Sequence, residues 1–131
     1  MRHRIPEESY RGIYHEKVQP GDLILMDESF EDPVASMDLS EGIYDSLWRL
    51  SLETGLGLTV DLRRIPLTQQ EIDACDRADR DPYREPREGR LYAVRPRSEY
   101  HLSDDMHIIG YMTEETVCRI RNKDRESFLG S

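Results

Sequence analysis

The sequence predicts an α+β domain: a mixed β-sheet with helices packed mainly on one face. Three observations carry this. Short apolar or alternating runs recur at 23–26, 58–62, 91–94, 107–112 and 116–121. Segments 40–54 and 68–75, lying between the first three runs, carry helical spacing and helix-start signals. The resulting order is strand, helix, strand, helix, strand, strand, strand, which excludes an all-α bundle and a barrel. Right-handed crossovers between parallel strands would place both helices on the same face.

Each element has a local reason. Residues 1–17 are polar apart from Tyr10, Ile13 and Tyr14, and read as a loose arm docked through those anchors. Pro20-Gly21-Asp22 is a turn signal. Leu23-Ile24-Leu25-Met26 shows no polar alternation, as expected of a strand buried on both faces. The acidic stretch 27–33 reads as a loop. Ser40 is placed to cap a helix, with Glu41 in the first turn, where the helix dipole favours a negative charge. Ile43, Leu47 and Leu50 then fall on one stripe, flanked by Tyr44 and Trp48. Gly55 ends this helix, because glycine takes the left-handed conformation without a Cβ clash. Leu58-Thr59-Val60-Asp61-Leu62 alternates, as a strand with one core-facing side does.

Thr68-Gln69-Gln70-Glu71 is a capping box, and Ile72 with Cys75 gives a second helix its short apolar stripe. Residues 76–90 are almost wholly charged or turn-forming and read as a surface loop. Strand 91–94 is closed by Pro96, residues 97–105 are polar, and the last two strands are linked at 113–115. The tail 122–131 is expected to fray, which leaves 18–121 as the domain proper.

Composition bounds the function. The chain has 131 residues and suits one domain. An apolar share of 37% implies a core that is thin or shared with a partner. The formal net charge of -9 excludes a global attraction to nucleic acid or to an anionic membrane. No apolar run approaches the ~18 residues of a membrane span. The basic start is followed by Pro6-Glu7-Glu8, where a secretory signal needs its apolar stretch, so a cytoplasmic protein is expected. Cys75 and Cys118 form neither a disulfide framework nor a metal-type pair.

Several short pieces follow one another in a recognisable order: Asp38-Leu39-Ser40-Glu41-Gly42-Ile43, Leu50-Ser51-Leu52-Glu53-Thr54-Gly55-Leu56-Gly57, Val60-Asp61, Ile65-Pro66-Leu67, Asp81-Pro82 and Glu88-Gly89-Arg90-Leu91. Residues 18–25 upstream and Ile108-Ile109-Gly110-Tyr111-Met112-Thr113 downstream extend the series. This succession resembles the C-terminal domain of the aminoimidazole ribonucleotide synthetase (AIR synthase)-related superfamily. That superfamily includes thiamine-monophosphate kinase, selenophosphate synthetase, formylglycinamidine ribonucleotide synthase and the hydrogenase maturation protein HypE.

The resemblance implies an AIR synthase C-terminal-like sheet. It also implies that a preceding domain, for which this chain has no room, would supply much of an ATP site and a dimeric barrel. Two family segments that are helical look shortened here, at 27–37 and 95–106. The leading expectation is therefore a module that binds no cofactor alone and is non-catalytic alone. It would act through assembly, as a homodimer or with a hetero-partner carrying an ATP-binding domain. The alternative is a split or minimal phosphotransferase that uses ATP and Mg²⁺ at Asp38 and Glu41.

The resemblance places Asp38, Ser40, Glu41 and Gly42 near nucleotide phosphates, with Asp38 and Glu41 toward Mg²⁺. The chemistry is reasonable, since Mg²⁺ takes hard carboxylate oxygens and shares them with phosphates. A helix start also offers free N–H groups to an anion, and Gly42 would permit close approach. The simpler reading is that Ser40 caps the helix and the acids favour its dipole. Glu41 stands where the family commonly has Asp, which displaces the carboxylate by a methylene.

His3, His15, His101 and His107 lack zinc-type spacing with each other or with the cysteines, so no transition-metal site is expected. Cys75, on the apolar stripe of the second helix, reads as a core position, and Cys118 as an inert thiol within a strand. The chain ends Phe128-Leu129-Gly130-Ser131, without the terminal reactive cysteine of HypE-type proteins. Arg77, Arg80, Arg84, Arg87 and Arg90 alternate with acids and read as a self-paired loop. Tyr10, Tyr14, Tyr44 and Trp48 offer either a stacking platform or ordinary core anchors. The shortened helical segments predict a stripped sheet face opposite the two helices, buried by a two-fold partner or by the 1–17 arm.

Overall fold

The computed structural model describes residues 12–27, 33–87, 89–96 and 107–129. One mixed sheet organises them. Its strands are β1 (Ile13–Tyr14), β2 (Leu23–Asp27), β3 (Ala35–Asp38), β4 (Gly57–Asp61), β5 (Arg90–Val94), β6 (His107–Thr113), β7 (Cys118–Asn122) and β8 (Arg125–Leu129). Helix α1 (Ile43–Thr54) lies between β3 and β4, and α2 (Gln69–Arg77) between β4 and β5. The spatial order is β1-β3-β5-β2-β6-β4-β7-β8. Every neighbouring pair is antiparallel except β4 and β7, which run parallel. β3 and β4 therefore point the same way, and α1 carries the chain between them past β5, β2 and β6.

The core lies between α1 and the sheet. Ile43, Leu47 and Leu50 of α1 pack with Ile24, Met26, Leu58, Val60, Leu91, Ile109, Cys118 and Ile120, all buried. α1 ends as expected: Gly55 takes a left-handed conformation (φ 72°) and its N–H donates to Ser51 O. The Thr68–Glu71 capping box is also present, with both reciprocal bonds made. α2 buries none of its residues, however, and rests against the 3-10 turn Pro82–Arg84, which in turn lies on α1. The helical layer is thus built outward from one face. Cys75 is accordingly half-exposed rather than core, and lines a small pocket of about 240 Å³ with Ala74 and Arg87.

β2 is buried on both sides, as its unbroken apolar run requires. Ile24 and Met26 face the main core, and Leu25 joins Tyr92 and Val94 in a second buried cluster against Ile108. β4 is also covered on both sides, Thr59 included at 5% exposure, so its alternation does not mark a solvent-facing side. The second cluster corrects the expected stripped face: at β2 and β5 the chain buries that side itself. Exposed apolar side chains remain farther along, at Tyr111 and Phe128, on the row that runs through Thr59 and Arg119.

The arm does not lie across that face where it is described. Ile13 and Tyr14 form an edge strand on β3, and Glu53 Oε1 at the end of α1 accepts from Gly12 N–H (3.0 Å) and the Tyr14 hydroxyl (2.9 Å). Tyr10 lies outside the described residues. At the other edge, 122–129 is no frayed tail. The chain turns at Lys123 (φ 58°) and returns as β8, paired with β7 from Asn122↔Arg125 to Cys118↔Leu129. Leu129 packs on the main core, which gives this polar strand its reason to stay.

Two devices hold the sheet together, one of backbone and one of side chains. β6 and β7 are not hydrogen-bonded neighbours; the link between them passes across the start of β4. A Cβ on Gly57 would stand 1.7 Å from Glu115 O and 2.5 Å from Val117 O, so only glycine fits beneath that crossing. At the β2 entrance, Asp22 is buried at 2% exposure. It accepts from Arg95 Nε and Nη2, both at 3.1 Å, and from Gln19 N–H at 2.8 Å. No helix among the described residues is long and apolar enough to cross a membrane.

Candidate functional site

β3 delivers Asp38 to the start of the turn that leads into α1. Leu39 is fully buried and anchors that turn, and its carbonyl accepts from Gly42 N–H and Arg87 N–H, each at 3.0 Å. Asp38 Oδ1 accepts from the Ser40 hydroxyl at 2.6 Å and from Ser40 N–H at 3.2 Å. Arg49, only 7% exposed, stands behind it. Its Nη2 donates to Asp38 O (3.3 Å) and lies 3.5 Å from Asp38 Oδ1, while its Nε donates to Asp45 Oδ2 (2.8 Å). The Ser46 hydroxyl adds a bond to Asp38 O at 2.6 Å. Burial pushes the Asp38 pKa upward, but the two bonds from Ser40 and the Arg49 charge outweigh it and hold the carboxyl below its ordinary value. Asp38 is a carboxylate at neutral pH.

Ser40 does not cap the helix. The cap position falls on Gly42 (φ 95°), with no side-chain cap bond, and the acid of the first turn is Asp45 rather than Glu41. The Pro82–Arg84 turn lies directly against the helix start, and a Cβ on Gly42 would stand 2.6 Å from Arg84 O. Gly42 therefore gives close approach to this protein's own backbone on that side. Ser40, two residues earlier, spends its hydroxyl on Asp38 instead. Glu41 is exposed, on the rim of an adjacent cleft.

Asp38 and Glu41 are the donor type that Mg²⁺ takes, but Asp38 is turned to Ser40 and Arg49 while Glu41 stands on the cleft rim. Asp38 would share its charge with Arg49. Among the described residues no three His, Cys, Asp or Glu side chains stand together as a metal set. His3 and His101 lie outside those residues. Cys118 is buried in β7, where desolvation raises its thiol pKa against a lowering bond to Ser51, so it is an inert thiol. The arginine run is self-paired only in part: Arg80 lies 3.7 Å from Glu85 and Arg84 3.6 Å from Asp81 within it, whereas Arg87 reaches Glu71 on α2 at 3.2 Å and Arg90 donates to the Ser36 hydroxyl.

Sequence reasoning missed the cleft itself. It measures about 430 Å³ and is lined by Glu41, Tyr44, Asp45, Trp48, Arg84 and Leu129. Tyr44 stacks on Tyr83 (centroids 5.7 Å apart), and the Arg84 guanidinium lies over the Tyr44 ring at 5.1 Å. Positions 44, 45 and 48 share one side of α1, a spacing visible in the sequence, and Glu41 precedes the cap. The approach of Leu129 and Arg84 to that stripe depends on β8 and on the 82–84 turn, which no short-range pattern announces.

Solved structures share this fold. HypE from E. coli, a hydrogenase maturation protein, superposes with a TM-score of 0.73 at 13% identity, covering 88% of this chain and 50% of that one. Thiamine monophosphate kinase from Aquifex aeolicus gives 0.57 at 15% identity, covering 88% of this chain and 54% of that one. T. maritima PurL complexed with ATP gives 0.61 at 14% identity, covering 88% and 25%. The chain thus has the fold of AIR synthase-related proteins and spans about half the length of the HypE and kinase chains. No protein-family model matches the chain. No curated protein matches it by sequence.

Proposed function

We propose that the chain is an AIR synthase-related, C-terminal-like module that performs no catalysis alone and acts by assembly. Its partner is a second copy or a protein carrying an ATP-binding domain. One observation carries this reading. The polar groups at the helix start are already engaged within the chain: Asp38 by Ser40 and Arg49, and one side of Gly42 by the Arg84 carbonyl. Among proteins of this fold, HypE has been seen with ATP and in a HypE–HypF complex, each over a chain about twice as long as the matched part. Both unpaired cysteines fit a reducing cytoplasm.

A second reading, a split or minimal ATP/Mg²⁺-dependent phosphotransferase, draws on the ionised Asp38 beside an exposed Glu41. One experiment separates the two. The purified chain, incubated with Mg·ATP, should release no ADP above a buffer control, while pull-down from its native extract recovers a nucleotide-binding partner or a second copy. Turnover by the chain alone would favour the phosphotransferase.

A further inference from the structure

We infer that the cleft between α1, the Pro82–Arg84 turn and the end of β8 receives an arginine side chain from a partner protein. This inference rests on the proposed action by assembly and names the chemistry of the contact. The cleft combines three features that suit a guanidinium. Its open aromatic wall is the half-buried Trp48, beside a Tyr44 ring already covered by Arg84 and Tyr83. Its rim carries the carboxylates of Glu41 and Asp45. Leu129 provides an apolar surface for the methylene stem of a long cation.

The protein already demonstrates the pairing with its own Arg84. That guanidinium lies 5.1 Å from the Tyr44 ring centre and 3.6 Å, at Nε, from Asp81 Oδ2. A planar guanidinium stacks on aromatic rings and forks onto carboxylates, which a compact ammonium does less well. Charge points the same way. Asp45 is shared with Arg49, Arg84 is paired with Asp81, and Glu41 remains as the rim carboxylate, within a chain of net charge -9. An anionic occupant would meet Glu41 and Asp45 at close range. One turn beyond Trp48 on the same helix face, Leu52 is 62% exposed, which extends the contact strip beyond the cleft. Tryptophan, tyrosine and arginine are the residues that dominate interface energetics.

Trp48 is the only tryptophan in the chain, so its indole N–H gives one resolved NMR signal from the cleft wall. The full chain is titrated with N-acetyl-arginine amide, with N-acetyl-lysine amide and sodium chloride at matched ionic strength as controls. The inference predicts a saturable shift of the Trp48 indole signal with the arginine probe. The lysine probe should bind more weakly, and the salt should produce no saturable shift. Glu41→Gln should weaken arginine binding about three-fold, the scale of an exposed ion pair. Trp48→Leu serves as a second variant, followed through the backbone signals of 41–45, and should weaken it further. Equal shifts from salt, or arginine shifts unchanged by Glu41→Gln, would overturn the inference. A chain that assembles with a partner yet ignores the arginine probe sinks this inference alone. A chain that binds the probe but shows no partner or self-association sinks the assembly reading and, with it, a partner protein as the source of the arginine.

Discussion

The guanidinium of Arg49 lies 3.5 Å from Asp38 Oδ1 and donates to the Asp38 carbonyl at 3.3 Å. One buried side chain thus holds both the backbone and the carboxylate of the residue that opens the candidate site. Arg49→Met removes both contacts and leaves Asp38 and Asp45 without their cation. The loss should be about 2 kcal/mol, below the range for a fully buried pair because both carboxylates are partly solvated. Urea unfolding measures it. A loss under about 0.5 kcal/mol, ordinary for surface positions, would show that Arg49 is incidental.

Asp38 also sets an acid limb. Its folded pKa is held below the ordinary 3.8, so its ionised form is favoured by folding. The contribution is complete above the unfolded value and is lost as pH falls through the lowered folded value. Asp38→Asn should therefore flatten the loss of stability below about pH 4 relative to the wild type. Thermal melts across that range read it. Parallel acid limbs in the two proteins would contradict the assignment.

Two glycines near the same helix end separate crowding from conformation. Gly57→Ala drives a methyl group into the backbone at Glu115 and Val117, and should cost about 3 kcal/mol or more, or abolish folding. Gly55→Ala meets nothing within 4 Å and pays only for its left-handed φ, about 1 kcal/mol. Equal costs by denaturant unfolding would mean that the β6–β7 crossing does not lie on Gly57.

Much of the fold was legible because its signals are local. The capping box at Thr68 and Glu71, the left-handed stop at Gly55 and the two-sided run of β2 each follow from a few adjacent residues. β3 and β8 were not legible. Ala35-Ser36-Met37-Asp38 and Arg125-Glu126-Ser127-Phe128-Leu129 carry no strong strand pattern, and their pairing is supplied by β5 and β7. The hairpin before β8 turns on Lys123 rather than on a glycine. Ser40 had the chemistry of a cap, but its hydroxyl bonds Asp38 and the cap position falls on Gly42, packed against the Pro82–Arg84 turn some forty residues away. Asp38 and Glu41 were legible as acids near a helix start. The Arg49 contact behind Asp38 was not, since it depends on where β3 ends against α1.

Tyr111 and Phe128 remain 43% and 56% exposed on the sheet side away from α1. Self-association, if it is the form that assembly takes, should bury this row. Light scattering should then give a mass that rises above 15.4 kDa with concentration and returns to it in Phe128→Ser and Tyr111→Ser. A wild-type chain that stays at 15.4 kDa throughout would exclude a second copy and leave the partner with an ATP-binding domain.

The central claim is that the helix-start groups do not make an ATP site by themselves. Isothermal titration calorimetry of the purified chain with Mg·ATP tests it most directly. The account predicts no micromolar binding, and any weak binding should vanish in EDTA and in Asp38→Ala. Micromolar affinity that requires Mg²⁺ and is lost in Asp38→Ala would contradict it and establish a nucleotide site within this chain.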